Sequence, residues 1–244
     1  DTACSSTLVA LNLAVEAIRN GTINQAVVGA VQLNLFPQEI DADITNSVMS
    51  EESRTKAFNR DSDGFVQGEG GVVLILKDYE KAVKDRNHIH AIIKGSAVNN
   101  NGRRANGIAA PSEKAQGEVI RAAIKDAGVS PETISYIEAH GTATKIGDPI
   151  EISAITSVMK DFDIPYQSIG IGSVKTNIGH TGSVSGLFNL VKVILMMKNR
   201  HIVPSLFFTE PNYYIGFEKS PVYVATENCS WNEKIRRAGV SSLG

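Results

Sequence analysis

The feature that most constrains the fold of this chain is a regular alternation of short apolar runs with amphipathic helical segments. VVLILKD, at residues 72–78, is an unbroken apolar run, which is typical of a strand buried on both faces. HAIIKGSAV, ISYIEAH and SIGIGSVK are further strand candidates, and the helical patterns GEVIRAAIKDAG and DPIEISAITSVMKD lie between them. The alternation predicts an α/β fold in which helices cover both faces of the interior strands.

Composition excludes several function classes. The chain has 244 residues and a formal net charge of -2, so it has no global attraction to nucleic acid or to an anionic membrane. Its most apolar run, residues 186–197, contains Asn189 and Lys192 and is shorter than the roughly 20 residues of a membrane span. Cys4 and Cys229 lie almost the whole chain apart, which argues against a disulfide framework or zinc ribbon. We therefore predict a cytoplasmic protein with neither nucleic acid nor a membrane as partner.

A cysteine stands at the start of the first helical pattern. In DTACSSTLVALNLAVEAIRNG, Leu8, Leu11, Val15 and Ile18 recur at steps of three and four residues, so Cys4 is predicted at a helix N-terminus. The free N–H groups and the helix dipole favour a thiolate there. A buried cysteine that acts as a small apolar residue fits this stretch equally well.

Two histidines occupy comparable positions at predicted strand ends. His140 follows ISYIEA and precedes a glycine turn, and His180 follows Lys175 in SVKTNIGHTGS. Open α/β sheets bind ligands at the carboxyl ends of their strands, so residues at those ends converge. We expect Cys4, His140 and His180 to share one site.

These stretches together resemble a known family. DTACSS, EAHGTATKIGDPIE and KTNIGH occur in that order and resemble the three active-site blocks of β-ketoacyl synthases, most closely the ketosynthase domains of modular polyketide synthases. The resemblance covers essentially the whole chain. It implies a thiolase-like fold, with two βαβαβ halves packed in five αβαβα layers, and a homodimer.

The resemblance also implies a division of the chain. One strand–helix series stops near residues 86–89 and another begins. Residues 1–88 would be the remainder of the N-terminal half, with the nucleophilic cysteine, and residues 89–244 the C-terminal half, with both catalytic histidines. On this resemblance we expect a fragment that begins at its nucleophile and stops before a glycine-rich loop of the C-terminal half.

The resemblance implies a reaction and a role for each residue. Cys4 would receive an acyl chain from an acyl carrier protein, and His140 and His180 would stabilise the enolate formed when a malonyl-type extender thioester loses carbon dioxide. Lys175 would pair with Glu151 and orient the site. The activity implied is decarboxylative Claisen condensation in polyketide or fatty acid biosynthesis.

Three further residues have supporting roles by the same resemblance. Thr142 and Thr144 would bind the phosphopantetheine arm that carries the substrates, and the domain would bind no cofactor or metal of its own. Asp148 precedes Pro149 and is expected to cap the helix that begins there.

Other functions fit the residues less well. A degradative thiolase would use a second cysteine, and Cys229 lacks the glycine-rich setting for that role. A cysteine hydrolase would have no use for a second histidine and Lys175. A non-catalytic, chain-length-factor-like subunit usually lacks the nucleophile, whereas Cys4 is present. For the 244 residues alone we expect an inactive fragment, and the remaining alternative is the condensing domain of a fatty acid synthase.

Overall fold

The computed structural model describes residues 1–35, 48–104 and 111–244. The helices are α1 (Ser6–Arg19), α2 (Tyr79–Lys84), α3 (Glu113–Ala127), α4 (Gly147–Lys160), α5 (Lys175–Ile178) and α6 (Ser185–Asn199). The strands are β1 (Gln25–Gln32), β2 (Gly70–Lys77), β3 (Tyr136–Glu138), β4 (Ile169–Gly172), β5 (His201–Ile202), β6 (Val222–Val224), β7 (Cys229–Ser230) and β8 (Ala238–Val240). The predicted alternation of strands and helices is therefore present.

A parallel sheet in the order β6-β4-β3-β8 forms the centre of the second half of the chain. Successive side chains of β3 point to opposite faces, as in any strand. Ile137 packs with Ile155 of α4 on one face, and Tyr136 packs with Val193 of α6 and Trp231 on the other. The sheet is thus buried on both faces, as its continuous apolar strands predicted.

The first half of the chain contributes a second, antiparallel sheet. β1 pairs with β2, so that Val28 lies opposite Leu74. Val28 and Val72 pack against Leu11 of α1 and Leu187 of α6, while α3 packs on α4. The layers therefore run from α3 and α4, through the parallel sheet, to α1 and α6, and then to β1 and β2.

The outer face of the β1–β2 sheet is apolar and open. Val27, Val31, Val73 and Ile75 on this face are 62–70% exposed. No element in the described part of the chain covers them, so the prediction that VVLILKD, which forms β2, is buried on both faces is wrong for Val73 and Ile75. Four of the five αβαβα layers implied by the resemblance are thus seen within residues 1–35, 48–104 and 111–244.

One predicted strand is not formed. HAIIKGSAV, at residues 90–98, belongs to no strand among the described residues. It lines a large cavity together with residues 234–244, which include β8. An apolar, β-branched sequence favours an extended backbone, but a strand also needs a partner edge within hydrogen-bonding distance.

The most apolar run forms α6 and is a buried helix, as predicted. Asn189 and Lys192 are buried within it. None of the helices in the described ranges has both the length and the hydropathy for crossing a bilayer.

Candidate active site

A tight turn places Cys4 immediately before α1. The carboxylate of Asp1 accepts hydrogen bonds from the Ala3 N–H at 2.8 Å and the Ser6 hydroxyl at 3.1 Å. Ala3 has a φ of 52°, a left-handed conformation that turns the chain sharply. Cys4 then lies in a single 3₁₀ turn, Ala3–Ser5, that leads into the helix. The structure therefore places Cys4 at a helix N-terminus, as expected.

The thiol of Cys4 differs from the prediction in its ionisation. Burial raises the pKa of Cys4, whereas the charge of Lys175 and the backbone N–H of Cys4 act to lower it. Removing the thiolate from water costs more than these two interactions return. For Cys4, burial therefore outweighs the bias towards a thiolate that is expected at a helix N-terminus.

His140 follows β3 and is held on three sides. Its backbone N–H donates to Glu151 Oε1 at 2.8 Å, and its carbonyl accepts from Lys175 Nζ at 2.6 Å. Its ring Nδ1 accepts from the backbone N–H of Leu243 at 3.2 Å. A neutral imidazole has one protonated nitrogen, so this acceptor role at Nδ1 assigns the proton to Nε2.

His180 has the same tautomer for a different reason. Its Nδ1 accepts from the Gly182 N–H at 3.2 Å and lies 3.1 Å from the Ser185 hydroxyl. The ring of Phe65 packs edge-on at a centroid distance of 4.6 Å, and the backbone N–H of His180 donates to the Val66 carbonyl at 2.7 Å. The proton of His180 is therefore also on Nε2.

The two imidazoles form a pair of neutral donors. Their ring centroids are 5.6 Å apart and the rings are nearly perpendicular. Burial, with the nearby charge of Lys175, lowers the pKa of His140 well below its usual value and that of His180 to about 3. Both rings line the same cavity as Cys4. The structure thus brings together the three residues expected to share one site, with two N–H groups available to one anion.

Lys175 is buried beside them. Its Nζ donates to the His140 carbonyl, and burial lowers the pKa of Lys175 to about 8 against the opposing effect of nearby carboxylates, Glu151 first. The ion pair expected with Glu151 is not formed, because Glu151 instead accepts the N–H groups of His140 and Gly141 at 2.8 and 2.9 Å. Burial also raises the pKa of Glu151. Glu151 therefore orients the backbone at His140 and acts on Lys175 only through its charge.

Asp148 does not cap α4, contrary to the prediction. It is the second residue of the helix, inside the first turn, whereas a capping residue precedes that turn. Its Oδ2 accepts from the backbone N–H of Phe58 at 2.6 Å, and its Oδ1 is buried without a hydrogen-bond partner. Burial raises the pKa of Asp148 to about 7. Asp148 thus ties α4 to the loop at Phe58, which has a φ of 65°.

Thr142 and Thr144 line the cavity that contains Cys4. The Thr144 hydroxyl oxygen accepts from the Gly147 N–H at 3.2 Å. Ala143 between them is fully buried and has a φ of 56°, and its carbonyl accepts from the Gly64 N–H. The two threonines therefore stand on a constrained turn at the wall of the cavity.

Several residues that orient the site were not predicted from the sequence. Ser185 could have been found, because it lies at the start of α6, five residues after His180. Phe65, Phe58 and Leu243 carried no signal, because only tertiary packing brings them to the site. Cys229 is exposed and lies outside the cavity lining. In the described ranges, no group of three or more His, Cys, Asp or Glu residues is arranged to hold a metal ion.

Comparison with known proteins identifies the family. The model of the beta-ketoacyl synthase N-terminal domain matches residues 1–82, and that of the C-terminal domain matches residues 90–209. Polyketide synthase PksL of Bacillus subtilis is 45% identical over 247 residues, which cover all of this chain and 5% of that protein. Probable polyketide synthase 17 of Dictyostelium discoideum is 42% identical over 247 residues, with 100% and 9% coverage.

Solved structures give the same result. The ketosynthase from module 6 of the bacillaene synthase of Bacillus subtilis 168 has a TM-score of 0.96 and 45% identity, and the match covers all of this chain and 44% of that one. The oxazolomycin ketosynthase domain OzmH KS7 of Streptomyces albus has a TM-score of 0.95 and 35% identity, with 100% and 43% coverage. The chain thus spans less than half of these structures and less than a tenth of the two curated relatives. With its thiolase-like fold, it belongs to the β-ketoacyl synthase family, as part of a ketosynthase domain of the modular polyketide synthase type.

Proposed function

We propose that the native protein catalyses decarboxylative condensation of acyl thioesters in polyketide biosynthesis. The observation that carries this proposal is the pair of neutral Nε2–H imidazoles, His140 and His180, beside the thiol of Cys4. An acylating thiol enzyme that only hydrolysed its intermediate would need a base for water. Two donors with depressed pKa values are instead suited to holding a negatively charged oxygen.

The first step is acyl transfer. The sulfur of Cys4 attacks the thioester carbonyl of an acyl chain on a carrier protein, a new carbon–sulfur bond forms, and the carrier thiol leaves with the proton that Cys4 gives up. The positive charge of Lys175 and the Cys4 N–H favour the thiolate during this step.

The second step is loss of carbon dioxide from a malonyl-type extender. The electrons of the broken carbon–carbon bond form an enolate, whose oxygen accepts from Nε2–H of His140 and of His180. Each such donor contributes roughly 3 kcal/mol to the transition state. Because both rings are neutral, each can donate its Nε2–H to the enolate oxygen as a hydrogen bond, without the proton transfer that a cationic imidazole would favour.

Condensation then joins the two chains. The enolate carbon attacks the carbonyl of the acyl–Cys4 thioester, and the tetrahedral intermediate collapses with departure of the Cys4 thiolate, which regains a proton. Both substrates are proposed to arrive on the phosphopantetheine arm of an acyl carrier protein, held at the cavity wall by Thr142 and Thr144. We also propose a homodimer in the cytoplasm, testable by light scattering and cell fractionation.

Substitutions in the full-length protein that contains this sequence test the assignment. Cys4→Ala should abolish acylation, because no sulfur remains to attack, while malonyl decarboxylation persists in part. His140→Ala or His180→Ala should still become acylated, while decarboxylation falls by roughly 10²–10³-fold. Mass spectrometry of the acylated protein and carbon dioxide release from malonyl carrier protein report the two steps separately.

His201→Ala is the matched control, because His201 is exposed and lies outside the cavity lining. It should leave both steps at the wild-type rate. Wild-type decarboxylation in either His140→Ala or His180→Ala, or acylation of Cys4→Ala within the site, would contradict the proposed roles.

A further inference from the structure

A buried ion pair lies behind the candidate active site. Glu138 Oε2 accepts from Lys192 Nζ at 2.8 Å and from the Tyr136 hydroxyl at 2.8 Å. Lys192 Nζ also donates to the Tyr136 hydroxyl oxygen at 3.1 Å, which closes a ring of three groups. Glu138 and Tyr136 are fully buried and Lys192 is 8% exposed. Such a network persists in a core only when its polar groups are satisfied by one another.

The strand beside this network leaves room for it. A Cβ placed on Gly172 of β4 would lie 2.6 Å from the Tyr136 hydroxyl and 3.3 Å from Lys192 Nζ. The alternating glycines of SIGIGSVK therefore accommodate the polar ring on the face of the sheet that α6 covers. The ring does not line the cavity that contains Cys4, so its three residues cannot contact substrate there.

The network instead joins the two backbone segments that carry His140 and Lys175. Glu138 ends β3, two residues before His140, and its Oε1 accepts from the backbone N–H of Val174 at 2.5 Å. Val174 directly precedes Lys175, whose Nζ returns to the His140 carbonyl. The carboxylate of Glu138 thus closes a loop of contacts from β3 to α5 and back.

Glu138 also acts on Lys175 through its charge. Among the groups that raise the pKa of Lys175, Glu138 stands second after Glu151. The remaining titratable groups around the Lys175 ammonium are Asp148 of α4, Cys4 before α1, and the neutral rings of His140 and His180. Lys192 pairs with Glu138 but is not among the charges that shift the pKa of Lys175, whereas Glu138 is.

We propose that Tyr136, Glu138 and Lys192 are positioning residues of the condensing reaction, which fix Lys175 against His140 and keep Lys175 cationic. The proposal rests on the proposed function, because it assigns the three residues to the decarboxylation step at His140 and His180. The charge of a cationic Lys175 acts at both rings and would stabilise the enolate anion held there, as it favours the Cys4 thiolate in acyl transfer. Glu138 acts by its charge and by the hydrogen bond it accepts from the Val174 N–H, Tyr136 by orienting the Glu138 carboxylate, and Lys192 by its buried ion pair with Glu138.

The test is the pH dependence of carbon dioxide release from malonyl carrier protein, measured with the full-length protein. Glu138→Gln removes a negative charge near Lys175, so the pKa of Lys175 falls below its value of about 8. The alkaline limb of the pH–rate profile, where the rate falls as Lys175 loses its proton, therefore moves to lower pH by roughly one unit. Release should therefore be about tenfold slower than wild type at pH 9 and nearly unchanged at pH 6, where both proteins hold a protonated Lys175. An equal loss at every pH would show a merely structural role and overturn the proposal.

Three further variants separate charge from packing. Glu138→Gln combined with Lys192→Met removes both charges of the pair, so no unpaired charge remains buried. This double variant should therefore fold even if Glu138→Gln alone does not, and it should show the same shift of the alkaline limb. Tyr136→Phe keeps both charges, so its rate should fall without a limb shift. Lys84→Met, the same substitution at an exposed lysine of α2 outside the cavity lining, should reproduce the wild-type profile.

The outcomes distinguish the two proposals. If wild-type protein releases no carbon dioxide from malonyl carrier protein, the proposed function fails and the positioning role fails with it. If the wild type is active but Glu138→Gln and the double variant have the same alkaline limb as the wild type, only the positioning role is overturned. A limb shift in Tyr136→Phe as large as that in Glu138→Gln would also overturn it, because the charges are intact there.

Discussion

At the residue scale, two helices end in the same left-handed backbone conformation but with different residues. α3 ends at Gly128 and α6 at Arg200, and both residues have a φ of 58°. Glycine adopts this left-handed conformation freely, whereas a side chain there costs about 1–2 kcal/mol. Gly128 could be predicted to end its helix, but nothing in the sequence around Arg200 indicated the same conformation.

Substitutions at these two positions should have opposite effects on the free energy of unfolding. Arg200→Gly should raise the free energy of unfolding by about 0.5–1 kcal/mol, because the strain exceeds the extra chain entropy of glycine when unfolded. Gly128→Ala should lower it by a similar amount, since no atom lies within 4 Å of the added Cβ and only the backbone is affected. Urea unfolding measures both, and a destabilised Arg200→Gly would contradict the argument.

At the scale of elements, the segment at residues 64–68 supports the site without belonging to a helix or strand. The N–H of Gly64 donates to the Ala143 carbonyl, and the N–H of Gly68 donates to the His180 carbonyl at 2.9 Å. Phe65 between them contacts the His180 ring. One stretch of chain therefore holds both loops that follow β3 and β4, and the close approach of neighbouring backbone explains why Gly64 and Gly68 are glycines.

Gly68→Ala should displace this segment. The added Cβ would lie 2.2 Å from the Ile178 carbonyl oxygen, a backbone atom that cannot rotate away. We expect a loss of about 1–3 kcal/mol in stability, as for other overpacked sites, and slower malonyl decarboxylation because His180 moves. Thermal unfolding and carbon dioxide release measure the two effects.

Gly216→Ala is the control for that substitution. Gly216 has a φ of -90°, and its nearest neighbour is the flexible carboxylate of Glu218 at 3.4 Å. It should change stability by less than about 0.5 kcal/mol. Unchanged stability and activity in Gly68→Ala would show that the segment does not hold His180 in place.

At the scale of the whole molecule, the outer face of the β1–β2 sheet dominates the surface chemistry. Val27 and Ile75 lie directly opposite each other in the ladder, and Val31 and Val73 extend the same apolar face. Contiguous apolar surface of this kind marks a contact site or causes association. The polar and charged residues elsewhere on the surface do not interrupt it.

We expect the 244-residue chain, produced by itself, to associate through this face. Val27→Lys combined with Ile75→Glu places opposite charges on a cross-strand pair and should shift light scattering towards the monomer. Val28→Lys is the matched contrast, since Val28 is 6% exposed and faces the core, so this change should unfold the protein. A monodisperse, cooperatively unfolding monomer of the unchanged chain would contradict the expectation.

Much of the fold could be predicted from periodicity alone. Short apolar runs indicated β2, β3 and β4 as strands, and helical patterns indicated α1, α3, α4 and α6, because burial imposes those patterns directly on the chain. The burial of both faces predicted for β2 did not hold, since Val73 and Ile75 are exposed. The segment at residues 90–98 shows the limit. Its composition favours an extended backbone, but pairing depends on an edge that other parts of a molecule supply.

The sequence by itself also predicted which residues meet at the candidate site, because Cys4, His140, Lys175 and His180 all stand at the ends of elements that converge in an α/β fold. Only the tertiary structure decided how they are held and charged. Burial raises the pKa of Cys4 and lowers those of both histidines. The Nε2–H tautomer is selected in His140 by the backbone of the distant Leu243, and in His180 by the folded turn at Gly182 and Ser185. Ionisation and hydrogen bonding depend on the solvent and neighbours that each group finally meets, and those neighbours are assembled only when the chain folds.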